Sequence, residues 1–303
     1  MTIATSQFAE LLWPGIKDIF GEEMKEWPSL FTQYLEEVES DKRFEKFQGV
    51  TGYQNAAVKN EGAGITYDDP MQGFQKEAVA VTYGLGAKIT MEMMADNQYS
   101  AIKNVPKQLA KSYRHTQETV SADLLNSGFS TAANPHLTAD GLSIFNTAHL
   151  LVDGGTYRNT PATGTDLTMT ALENAYIDIS DFKNDRSQPM HAKAVKLMVP
   201  TALQHTARKI LETEYAVGSA DNDKNVVSKA NTPIELIVNP YLTDPDAWFL
   251  ITDSGNGLTY VNRMAPQIDR DNQFNTKDLC FSVVGRFDVV GIDGRGMYGS
   301  PGA

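Results

Sequence analysis

Apolar residues recur at three- and four-residue steps through Phe8, Leu11, Leu12, Ile16, Ile19 and Phe20, a helical spacing that Pro14-Gly15 interrupts and Gly21 ends. Behind Trp27-Pro28, the positions of Leu30, Phe31, Tyr34, Leu35 and Val38 predict a second short helix, with Glu36, Glu37 and Glu39 on its polar side. Two short helices make a poor core by themselves. The first 45 residues therefore read as an arm that packs on something else. From Ala78 the period changes to two, with Val79, Val81, Tyr83 and Leu85 on one face and Ala78, Ala80, Thr82 and Gly84 on the other. The turn-forming residues Tyr67-Asp68-Asp69-Pro70 and Gln72-Gly73 precede that strand. Residues 60–90 thus predict a projecting hairpin or extended loop whose flanks carry little to fill a core.

A helical spacing returns in Ile102, Val105, Leu109, Tyr113, Val120 and Leu124 and stops at Asn126-Ser127-Gly128. This longest helix, about residues 99–127, would be a rod of roughly 40 Å, with Pro106 either a kink or its first turn. Residues 130–166 are rich in Gly, Asn, Asp and Thr and read as loop, with one small strand pair at most. Further on, a helix is predicted at 172–182, a strand at 194–199, a helix at 202–213 behind Pro200, strands at 234–238 and 248–252, and an alternating tail from Asp278. Strands and helices mingle without a strict alternation, so the fold class is α+β.

Charge and chemistry narrow the function. Acidic residues outnumber basic ones, 38 to 26, for a net charge of −12, which disfavours tight nucleic-acid binding. The single cysteine, Cys280, lies in the apolar run LCFSVV and reads as a small buried hydrophobe. The N-terminal segment does not read as a signal peptide and no stretch is apolar enough to span a membrane, so folding in a cytoplasm is expected. Gly84-Leu85-Gly86 lacks the third glycine of a dinucleotide site, because position 89 is Ile. Asp221-Asn222-Asp223-Lys224-Asn225 fails as a calcium loop, with Val226 and Thr232 where Gly and Glu are needed. The five histidines show no zinc spacing, and His149, near Asp140, Asn146 and Asp153, reads as structural. Neither a catalytic residue nor a cofactor or metal site is expected. Lys103, Lys107, Lys111 and Arg114 share one face of the long helix and could meet an acidic surface of a second copy or, more weakly, nucleic acid.

An aromatic, proline-containing arm is followed by Glu61-Gly62-Ala63-Gly64-Ile65-Thr66-Tyr67 and by the return Tyr83 to Thr90. The long helix then ends in Leu124 to Phe129, and Asp140 to His149, Val199 to Leu211 and Asn239 to Leu250 complete the series. The order of these motifs resembles that of the major capsid proteins of tailed bacteriophages, the Hong Kong 97 fold, and most of all the Mu-type head subunit branch. The resemblance implies an N-terminal arm (1–47), an E-loop laid over a neighbouring subunit (48–90), a peripheral domain with the spine helix (91–165), an axial domain (166–270) and C-terminal strands returning to the sheets (271–303). It implies hexamers and pentamers that close an icosahedral shell around phage double-stranded DNA in the virion head, assembled in a bacterial cytoplasm. A separate scaffolding protein, a portal and a maturation protease are the implied partners, with weak non-specific DNA contact and room for decoration or cement proteins. Lys59, Glu61, Lys76, Glu77, Arg114, Trp27 and Phe31 are the candidate intersubunit contacts. The alternative within the fold is an encapsulin-like compartment shell.

Overall fold

The computed structural model describes residues 17–26, 28–90, 92–93, 99–131, 136–215, 224–228, 234–255, 257–276 and 278–303. The helical pattern that starts at Phe8 enters this set only near its end, as helix α1 at residues 17–26. Gly21 does not stop that helix. Phe20 is buried, and Glu23 pairs with Lys107 and Lys111 at 3.8 and 3.0 Å. Such tertiary contacts override the roughly 1 kcal/mol that a helical glycine costs.

The second expected helix is replaced by other structure. Phe31–Gln33 form one 3-10 turn, and Glu36–Glu39 form strand β1. The Glu118 carboxylate accepts the N–H groups of Leu30 and Phe31 at 2.6 and 3.2 Å, and β1 pairs in parallel with Thr259–Asn262. Those partners exist only in the folded chain, where they satisfy backbone groups that a helix would otherwise have paired internally.

Strands β2 (Phe44–Val50) and β3 (Gln72–Val79) form an antiparallel hairpin; after Ala80 the chain enters β4 (Val81–Ile89), which belongs to a different sheet. The spine helix α2 spans Tyr99–Asn126 with Pro106 in its interior. The glycine-rich stretch holds one small pair, β5 (His149–Leu150) with β6 (Thr156–Tyr157). Then follow α3 (Met169–Ser180), β7 (Ala194–Val199), α4 (Gln204–Glu212), β8 (Glu235–Val238) and β9 (Trp248–Thr252). Thr168 caps α3 by accepting the Ala171 N–H at 3.1 Å, as its position before the apolar run suggests. Strands β10 (Leu258–Asn272), β11 (Leu279–Gly291) and β12 (Met297–Ser300) close the fold.

Periodicity did not single out β10, although it is the longest strand described. Its register with β11 shifts between Asn262 and Met264 and again between Met264 and Gln267. Pro266 falls inside that irregular stretch, where its missing N–H breaks no regular ladder bond.

One sheet runs β1-β10-β11-β4 and a second runs β12-β9-β7-β8. The first sheet contributes Tyr260, Phe281, Val283 and Phe287 to a core that also takes Leu109, Tyr113 and Leu124 from α2. Gly285 makes room for this packing, since a Cβ there would sit 2.0 Å from the Tyr113 hydroxyl oxygen. The second sheet lies between two cores. Met198, Ile237, Phe249 and Met297 join the first, whereas Leu197, Val199, Trp248, Leu250 and Tyr298 join a second built with α3 and α4. Burial on both faces is why these strands read as unbroken apolar runs.

Candidate intersubunit surface

The β2–β3 hairpin is closed by its own ladder. Its register runs from Phe44 opposite Val79 to Val50 opposite Gln72, with a shift after Gln48. At that shift the backbones nearly touch: a Cβ on Gly73 would lie 2.9 Å from the Gly49 carbonyl carbon and oxygen, so only glycine fits. Thr51 closes the paired region, donating its N–H to the Met71 carbonyl at 3.0 Å and accepting the Met71 N–H on its hydroxyl at 2.8 Å. Beyond it, Asp68 accepts the Gln54 N–H at 2.8 Å, and the remaining chain carries Val58 and Tyr67 at 91% and 90% exposure with Tyr53 and Ile65 also exposed. These apolar side chains are covered by no core of the subunit's own.

The hairpin root is different. Ala78 is buried with Val261 and Val290, and Phe47 packs against them, while the larger Val79, Val81 and Leu85 face outward. The small face points inward only up to the crossover, at Ala78 and Ala80; in β4 Thr82 and Gly84 are exposed, and Tyr83, Ala87 and Ile89 from the other face meet the core.

Of the candidate contacts, Lys59 and Glu61 lie exposed on the loop. Lys76 and Glu77 occupy β3. Burial lowers the Lys76 ammonium's pKa, opposed by the Asp288 charge, and Glu77 faces Lys46 at 3.9 Å. Arg114 and Phe31 are instead part of the subunit's own arm-to-spine joint. Arg114 donates to the Met24 carbonyl at 3.0 Å and to Gln117 at 3.1 Å, and Phe31 is buried with its ring stacked on Tyr260 at 4.5 Å. Trp27 lies outside the described residues. The basic face of α2 is likewise met from within the chain, by Glu23 on α1. Nothing in the helical spacing could show this, since the acid that pairs with it lies more than eighty positions away.

His149 is structural, as its surroundings demand. It is wholly buried, with Nδ1 2.8 Å from Asp140 Oδ2, Nε2 3.1 Å from the Ile144 carbonyl and its ring stacked on Tyr157. Asp140 also accepts from the Thr138 hydroxyl and from the Leu142 and Leu150 N–H groups. Burial alone would raise this carboxyl, but the hydrogen bonds from His149 and Thr138, the His149 charge and the Leu142 N–H hold it down at about 2. A depressed carboxylate contributes stability above its unfolded value near 4 and loses it as pH falls towards the folded value. Asp140→Asn is accordingly expected to cost about 1–2 kcal/mol at neutral pH, with the gap from wild type closing near pH 2. Urea unfolding across that range measures it, and a gap independent of pH would contradict the assignment.

Two residues that hold the loop escaped the sequence reading, since they lie between the helix expected at 172–182 and the strand expected at 194–199. Arg186 donates to the Gly52 carbonyl at 3.2 Å and the Asp69 carbonyl at 2.7 Å and lies 3.7 Å from the Asp68 carboxylate. Gln188 donates to the Tyr53 carbonyl at 3.3 Å and to Asn55 Oδ1 at 3.0 Å.

One cleft, about 520 Å³, is lined by Tyr157, Arg158, Asp178, Asp181, Phe182 and Lys183 among others. Two of its charged groups satisfy each other, Arg158 pairing with Asp178, which also accepts the Tyr298 hydroxyl at 3.0 Å. Among the described residues, no group of three or more His, Cys, Asp or Glu is placed to hold a metal ion.

The sequence model of the family described as phage capsid protein matches residues 74–300, from β3 to the end of β12. The chain belongs to the phage capsid protein family. No curated protein sequence matches the capsid chain. Its fold is shared with the virus-like particle from Pyrococcus furiosus (9% identity, TM-score 0.54, 94% of this chain and 97% of that one) and the capsid of Myoviridae phage XM1 (10%, 0.54, 91% and 92%). It is shared also with the procapsid of bacteriophage JBD30 (15%, 0.53, 98% and 76%). The architecture is thus the Hong Kong 97-like capsid fold, and the protein is a shell component of the virion head. The family match favours a phage shell over the encapsulin-like alternative.

Proposed function

We propose that this capsid protein is the major head subunit of a Mu-type branch, that it closes an icosahedral shell from hexamers and pentamers, and that the segment 51–71 reaches over a neighbouring subunit. The observation that carries the reading is the exposed apolar loop on a rigid hairpin. Lys59 and Glu61 are its charged contacts, joined by Lys76 and Glu77 at the hairpin flank. Seven motifs in the family's order support the Mu-type assignment. The assigned units are the arm (1–47), E-loop (48–90), peripheral domain (91–165), axial domain (166–270) and returning strands (271–303), and the pairing of β10 with β1 and β11 supports moving 258–272 to the spine-helix sheet. The protein acts as structure and performs no catalysis. A separate scaffolding protein, portal and maturation protease serve it, decoration proteins can join it, and packaged DNA meets its acidic surface weakly and without sequence preference. Electron microscopy of the purified protein is expected to show closed isometric shells or head-like tubes. A monodisperse monomer at high concentration, with scaffolding protein present, would overturn the reading.

A further inference from the structure

The turn that grips the loop is preorganised. Asn184 receives the N–H groups of both Arg186 and Gln188 on its side-chain oxygen at 2.9 Å and donates its amide to Gln188 Oε1 at 2.9 Å. Its backbone N–H reaches the Gln188 carbonyl at 2.8 Å, and Asp185 is fastened to Arg295 at 3.0 Å. Arg295 in turn holds Asp293, just past the end of β11. Within this turn Ser187 takes φ 59°, and His191 shortly after it takes φ 56°. These are the two non-glycine residues with positive φ among those described, a conformation that L-residues adopt only where surrounding bonds enforce it. The turn is thus a rigid platform that aims two long polar side chains at one target.

That target is held without apolar burial. Apart from Thr51, every residue from 51 to 71 is exposed, and beyond the hairpin's own bonds the loop is tied to the platform by Arg186 and Gln188. Arg186 keeps a side chain only 6% exposed, under the backbone carbonyls it binds. A segment fastened by polar groups alone opens at far lower cost than one with buried apolar contacts, and lifting it returns the guanidinium to water.

The geometry points to a latch: Arg186 and Gln188 park the 51–71 loop on its own subunit before assembly and release it when the loop is laid over a neighbour. The release step rests on the reading of the loop as an intersubunit arm; the parked state does not. While the latch is closed, the loop is withheld from the neighbour, so the latch restrains assembly.

Amide hydrogen exchange at Gln54, whose N–H is held by the Asp68 carboxylate that faces Arg186, reads the latch in unassembled subunits. Arg186→Ala is expected to speed that exchange about tenfold and Gln188→Ala about threefold, with α2 unchanged. Exchange equal to wild type in both variants would overturn the latch. The subunit concentration at which shells form is expected to fall in Arg186→Ala; an unchanged or higher value with a freed loop would overturn its role as a restraint. Arg186→Lys and Gln188→Ala carry the same measurements if Arg186→Ala does not fold. In closed wild-type shells, a bifunctional amine crosslinker should join Lys59 to a second chain. Lys59 linked only within its own chain would overturn the intersubunit reading and the release, whereas the exchange result would still establish the parked state.

Discussion

Replacing residues 54–68 by an Asn-Gly turn leaves the subunit folded and abolishes closed shells. The hairpin is sealed below the cut, by Thr51 with Met71 and by the ladder from Phe44–Val79 to Val50–Gln72. The removed segment contributes nothing to the buried core, so circular dichroism and the unfolding midpoint should match wild type. What is lost is the partner-facing surface. Val58, Ile65 and Tyr67 would each contribute about 1.5–3 kcal/mol if fully buried against a neighbour, and that sum recurs at every subunit contact of a shell. Shells as stable as wild type, by electron microscopy and gel filtration, would sink the assignment of this loop.

The second large effect is expected inside the subunit. Gly296→Ala should lower stability by about 3 kcal/mol or more, because its Cβ would stand 2.3 Å from the Gly257 Cα and 2.9 Å from the Gly257 nitrogen. Both obstacles are backbone, so no rotamer relieves the overlap. Gly257 also accepts the Ile292 N–H at 2.8 Å, which pins the end of β11 to the start of β10. Gly21→Ala is the matched control: nothing lies within 4 Å of the added atom, and a helix interior favours alanine by up to about 1 kcal/mol. Urea unfolding compares the two. Equal midpoints would show that the segment bearing Gly296 can move away at little cost.

The legible parts of the fold share a physical character. β7 and β9 were readable because both faces are buried, as in Leu197-Met198-Val199 and Trp248-Phe249-Leu250, and such runs keep their meaning whatever lies beside them. α2 was readable because its periodicity extends over 28 residues. The misread segments are those whose backbone partners are distant. β1 looked helical until β10 supplied a parallel neighbour, and β10 itself was hidden by charges and by Pro266 at its bulge.

The candidate surface divides in the same way. The loop was visible as a polar stretch that could not fill a core, and its exposed Val58, Ile65 and Tyr67 agree with that reading. Arg114 and Phe31 looked like surface contacts because residue type does not say which way a side chain is covered. In the structure, the arm's own Met24 carbonyl and Tyr260 cover them. Arg186 gave no signal at all: an arginine in a polar turn is ordinarily solvated, and only the return of the chain at Gly52 and Asp69 gives this one its acceptors.

By itself, the sequence determined the α+β class, the spine helix, the doubly buried strands and the existence of a segment that fills no core, since each is written in local spacing and in the free energy of apolar burial. Only the tertiary structure decided where the arm lies, which strand joins which sheet, and what holds the loop. Those outcomes depend on hydrogen bonds and ion pairs between residues far apart in the chain, such as Glu23 with Lys111 and Arg186 with Asp69, and no local pattern encodes a contact of that kind.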